Sequence, residues 1–290
     1  MKTILALIND PLSSENFVRY TTDMAAYLNF NLHLMYIQNP ALYSLSPGTT
    51  APSSHPVGTE LEMTRLEEER RNALKSMEEN LEITRNNMQT DISIRLSSET
   101  GSKDIIVNRL VAENKADIVV LENEHEHGFW NLETPNIDLI LDVNCPCLVI
   151  PPDKSYESFH KIVYATVYHE KDPETIKNLI TLYEKFSPEI TALHISENNK
   201  EEEERLTKIK DNIESMTGYD KIHLETIPDE KDKNIAEEIN EYAINKGASL
   251  IAILKQNRDF FERIFKRSTT RKVIKKASLP VLVYHEKEMG

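Results

Sequence analysis

A few short groupings in this chain carry side chains able to do chemistry. Glu124-His125-Glu126-His127 alternates carboxylate and imidazole, a donor set suited to zinc or another divalent metal. Two histidines two apart on a strand or loop still need further ligands from elsewhere, so the tetrapeptide reads as an exposed polar loop and no metal is expected. Cys145-Pro146-Cys147 lacks the two-residue gap of a redox pair, and the spacing places Cys147 in the core and Cys145 at a helix–strand turn. Lys255, Arg258, Arg263, Lys266 and Arg267 gather before Ser268, cations that can hold an anion beside a hydroxyl at a helix start. The bland readings of that set are solvated surface and, for Ser268, a plain helix N-cap. His33 and His194 fall inside strand-like runs, where a structural role is the default. No Gly-x-Ser-x-Gly elbow, Walker loop or His-Glu-x-x-His helix occurs, and nothing assembles a nucleophile, a base and an oxyanion donor, so no catalytic residue is assigned.

The elements that position these groups follow from length and pattern. The 290 residues suffice for two ordinary domains, each with its own core. With 34 Lys+Arg against 48 Asp+Glu the net charge is −14, and no basic stripe interleaves with aromatics, so phosphate backbones are repelled and nucleic acid is not an expected partner. The apolar run Ile4 to Ile8 is far too short to span a membrane and is followed by Asn9-Asp10-Pro11, a poor secretory signal. Two cysteines make no disulfide framework. The expectation is a soluble, cytoplasmic protein without a membrane partner.

The chain repeats itself. Lys2 to Leu7 can be laid on Lys161 to Thr166, Asn31 to Ile37 on Glu189 to Ile195, Ala116 to Leu121 on Ala248 to Ile253, and Cys145 to Ile150 on Leu279 to Tyr284. The first copy has the longer middle, most of it in Pro40 to Glu60, a Ser/Pro/Thr/Gly stretch that reads as a mobile loop. Between the strand-like runs the spacing is helical: Phe17, Thr21, Met24 and Leu28; Leu66, Ala73, Leu74, Met77 and Leu81; Ile106 and Leu110 behind a capping Ser102; Ile176, Leu179, Ile180 and Tyr183; and Ile235, Ile239, Tyr242 and Ala243. Asp172 before Pro173 reads as an N-cap with proline at the first helical position. Short apolar strands alternating with helices predict two tandem α/β domains, 1–152 and 159–290, each a five-stranded parallel sheet of Rossmann-like type with helices on both faces.

In this order, spacing and duplication the chain resembles the universal stress protein family in its tandem form. The segments that carry the resemblance are Lys161 to Thr166, Pro146 to Ile150, Pro280 to Tyr284 and Phe260 to Ser268. The resemblance covers nearly the whole chain and implies pairing of domains through their last strands, near Leu148 to Ile150 and Leu282 to Tyr284. That is an intramolecular pseudo-dimer, with a homodimer as a further possibility. It also implies, for many members, ATP at the strand ends.

The family's ATP-binding members carry Gly-x2-Gly-x9-Gly-Ser/Thr after the fourth strand, where glycines let backbone N–H groups approach phosphate oxygens. The resemblance places the hydroxyl of that pattern at Thr134 in the first copy and Ser268 in the second. The glycine before it is replaced by Glu133 and Arg267 respectively. Three carboxylates in the first loop oppose a triphosphate, so nucleotide binding is not expected in the first domain. In the second, Ser268, Arg267, Lys255 and Arg258 are the candidate ATP ligands, and binding there is expected to be weak. The family also carries an Asp after strand one; Asp10 stands near that position in the first copy, and before Pro11 it is equally a turn residue. The leading reading is a stress-response binding or regulatory module with a degenerate ATP motif. Its rivals are a nucleotide hydrolase or nucleotidyl-transfer enzyme using the second cleft, and an interaction scaffold recruiting partners through Pro40 to Glu60 or Phe260 to Phe265.

Overall fold

A computed structural model describes residues 1–38, 56–86, 92–122, 139–140, 143–152, 154–196, 208, 211–229, 235–255 and 279–285. They fall into two compact units, Met1–Glu122 and Asn123–Gly290.

The first unit runs β1 (Thr3–Ile8), a 3-10 turn (Pro11–Ser13), α1 (Glu15–Leu28), β2 (Asn31–Gln38), α2 (Pro56–Asn86), β3 (Ile94–Thr100), α3 (Lys103–Ala112) and β4 (Ile118–Glu122). Its strands lie in the order β3-β2-β1-β4, all parallel, with Leu5 opposite His33 on one side and Val119 on the other. Ile4 to Ile8 and Ile118 to Leu121 are buried without interruption, as strands covered on both faces must be. The stripe Phe17, Thr21, Met24 and Leu28 is buried as its spacing predicts, and α1 ends on Asn29 in the left-handed region (φ 58°), whose N–H donates back into the last turn. Among the described side chains of α2, Ala73, Met77, Leu81 and Thr84 are buried, while Leu74 is only half-buried. The stretch read from sequence as a mobile loop is helical over its last residues, because Pro56 opens α2, where its fixed φ and missing N–H cost nothing. Ser102 stands at the N-cap of α3, but its hydroxyl donates to the Asp104 side chain instead of capping a backbone N–H.

The second unit contains β5 (Cys147–Ile150), β6 (Lys161–Thr166), α4 (Asp172–Leu182), β7 (Glu189–Ser196), β8 (Ile222–Pro228), α5 (Ile235–Asn245), β9 (Leu250–Lys255) and β10 (Val281–His285). The order is β5-β10-β9-β6-β7-β8. All neighbours are parallel except β5, which runs antiparallel to β10 with Leu148 opposite Leu282. Both units are thus α/β with strand orders that reverse at the first strand, in agreement with the Rossmann-like class. Phe159 and Tyr183 pack edge to face at 4.9 Å in the core, and Cys147 and Cys145 are both buried and not joined in a disulfide. Among the described residues no helix is long and apolar enough to cross a membrane.

Candidate functional site

In open α/β sheets ligands bind beyond the carboxyl ends of the strands where the strand order reverses. That point lies between β1 and β4 in the first unit and between β6 and β9 in the second.

In the first unit Asn9, the residue after β1, spans this crevice. Its Nδ2 donates to the Glu122 carbonyl at the end of β4 (3.1 Å), and Lys103 Nζ, from the first turn of α3, donates to its Oδ1 (3.3 Å). Asp10 is used by its own turn: Oδ1 accepts the Leu12 N–H (3.0 Å) and Oδ2 accepts the Ser13 hydroxyl (2.7 Å). The turn is in turn held by α2, where the Ser76 hydroxyl donates to the Pro11 carbonyl (2.9 Å) and Asn80 Nδ2 to Ser14 Oγ (3.2 Å). Of the two roles open to Asp10 from sequence, the bonds describe the turn residue.

In the second unit the same loop is built around a buried carboxylate. Asp172 accepts the Tyr164 hydroxyl (2.6 Å), the Thr166 hydroxyl and the His169 N–H (2.8 Å). Asp172 is therefore not the N-cap that its place before Pro173 suggests. Lys171 holds the cap position, and the carboxylate turns back to the end of β6 because three donors there would otherwise be buried unpaired. Burial raises the Asp172 carboxyl above its ordinary range, opposed by the Thr166 and Tyr164 hydrogen bonds. Burial also drives the Tyr164 phenol well above its own. Next in the loop, Tyr168 takes the left-handed conformation (φ 59°), uncommon for a bulky residue. That backbone lets its ring lie over His194 at the end of β7 (4.0 Å between centroids) and its hydroxyl meet Thr226 Oγ1 on β8 (2.9 Å). His194 Nδ1–H donates to the Thr166 carbonyl (3.0 Å), which fixes the tautomer at that nitrogen.

Of the residues assigned from sequence as nucleotide ligands, Lys255 ends β9 opposite His285 of β10. Thr134, Arg258, Arg267 and Ser268 lie outside the described residues, as do Glu124 to His127 and Phe260 to Phe265. His285 Nε2–H donates to the Ile140 carbonyl (2.5 Å), so β10 ends in a buried polar anchor. Sequence reasoning passed over Asn9, Lys103, Tyr168 and Thr226. Only Asn9, a polar residue at the first position beyond an apolar strand, left a signal.

The geometry can be set beside known proteins. Residues 158–285 match the model of the universal stress protein family. The crystal structure of a universal stress protein from Archaeoglobus fulgidus DSM 4304 is similar in fold, at a TM-score of 0.61 and 12% identity, over 98% of each chain. A functionally unknown protein from Pseudomonas aeruginosa PAO1 is similar at a TM-score of 0.55 and 15% identity, over all of this chain and 94% of the other. No curated protein matches the chain in sequence. The family match thus covers β6 to β10, residues 158–285 of the second unit, and the fold is shared along nearly the whole chain with a solved universal stress protein.

Proposed function

We propose that the chain is a cytoplasmic stress-response binding and regulatory module made of two universal stress protein repeats, 1–152 and 159–290, in which any nucleotide binding belongs to the second. The observation that carries the asymmetry is the Asn9 bridge to Glu122, backed by Lys103, which occupies the strand-order reversal of the first unit with protein atoms. In the second unit Lys255 brings a cation to the corresponding strand end, and Arg258, Arg267 and Ser268 follow it in sequence. The missing glycines leave side chains, not a backbone cradle, to hold phosphate, so affinity is low. Antiparallel pairing of β5 with β10 supports reading the last strands of the two repeats as an intramolecular pseudo-dimer. Titration calorimetry with Mg-ATP on the full chain tests the proposal. Binding no tighter than about 0.1 mM is expected, weakened by Lys255→Ala or by Arg267→Ala with Ser268→Ala and unchanged by Asp10→Ala. Sub-micromolar binding that survives the second-unit substitutions would overturn it.

A further inference from the structure

The second unit has a groove at the amino ends of its strands, the opposite end from the loop that holds Asp172. Its volume is about 260 Å³, and Lys161, Glu189, His223, Glu225 and Lys246 supply its charges over a floor that includes Val163, Thr191 and Ala248. The register explains the arrangement. Lys161 and Glu189 are the first residues of β6 and β7 and lie opposite one another, and Thr191 lies opposite His223 on β8. Odd-numbered positions of three adjacent strands therefore share one face, with neighbouring strands only about 4.8 Å apart.

The charges are of both signs and are partly committed to each other. Lys246 Nζ meets Glu225 at 2.9 Å, and His223 Nε2 approaches Glu189 at 3.7 Å. The Tyr242 hydroxyl, and then Lys246, hold the Glu225 carboxyl below its ordinary value, so it is ionised. Among the described residues Lys161 makes no ion pair, although Glu189 faces it across the strand pair. Two lysines and two glutamates cancel, so a purely anionic guest meets two carboxylates and a purely cationic one meets two ammonium groups. A guest carrying one charge of each sign a few ångströms apart is opposed by neither.

We propose that this groove binds a small zwitterion of the α-amino acid class, its carboxylate on Lys161 and its ammonium on Glu189, with the side chain over Val163, Thr191 and Ala248. This inference is independent of nucleotide binding, which would involve the other ends of the same strands.

The test is an amide-resolved NMR titration of the full chain with L-alanine, L-glutamine, succinate, inorganic phosphate and spermidine in turn. The two amino acids should shift Thr191, His223, Glu225 and Ala248 and saturate on the order of 1–10 mM, as suits a small, open site. Succinate, phosphate and spermidine should leave those four amides in place. Lys161→Ala, at an exposed position, should keep the spectrum of a folded chain and weaken the amino acids by about fivefold or more. The proposal is overturned if neither amino acid shifts these residues by about 50 mM, or if phosphate, succinate or spermidine saturates them first. Unchanged affinity in Lys161→Ala would overturn it as well.

Discussion

The Tyr164 hydroxyl donates to the Asp172 carboxylate at 2.6 Å, joining the body of β6 to the first residue of α4. Both groups are buried, and Thr166 and the His169 N–H complete the set. One side chain thereby fixes the whole loop that opens the strand-end crevice of the second unit.

Asp172→Ala should destabilise the fold by about 2–4 kcal/mol, because it strands buried donors and leaves a cavity. Urea unfolding followed by circular dichroism reads this as a lower midpoint. Asp172→Asn, which keeps the shape but brings an NH2 to face those donors, should fall between the two.

The same carboxyl gives a pH signature of unusual sign. Its folded pKa is raised by burial, so the native state takes up its proton at higher pH than the unfolded chain does. The contribution of Asp172 to stability is therefore fully present below pH 3.8 and is lost as pH rises through the folded value. Comparing wild type with Asp172→Asn across pH 4–7 should isolate that falling contribution as a difference in slope.

His33 runs the other way. Its imidazole meets Ser97 Oγ at 2.6 Å, and burial, with Arg95 nearby, lowers its pKa from 6.5 to about 4. The unfolded chain binds the proton first, so stability is full above pH 6.5 and is lost as pH falls toward 4. Solvent screening limits the effect to about 1–2 kcal/mol. Unfolding midpoints at pH 7 and pH 4.5 should differ by that amount, and His33→Leu should remove the difference.

Asp10→Ala should cost about 1 kcal/mol through loss of its turn bonds. The thermal midpoint should drop, while the heat of Mg-ATP addition stays as in wild type.

Much of the fold was legible because burial on both faces writes itself as unbroken apolar runs, as in Ile4 to Ile8 and Leu250 to Leu254. The helical stripes were legible because each helix buries one face at a period of about 3.6 residues, Phe17 to Leu28 above all. Asp172 was misread because the dipeptide with Pro173 carries a strong local signal, whereas the donors that claim its carboxylate come from β6, six and eight residues upstream. The Asn9 bridge was illegible because its partner lies 113 residues away, and only the parallel pairing of β1 with β4 brings the two ends together. The amino-end groove depends likewise on register across three strands, which composition and period do not specify.

The antiparallel partner of β10 has a further effect. With β9 along one side and β5 along the other, the backbone N–H and C=O groups of Val281 to Val283 are already matched. Over those three residues β10 offers no open ladder to template an incoming polypeptide. Aggregation seeded at Val281 to Val283 would first require β5 to peel away.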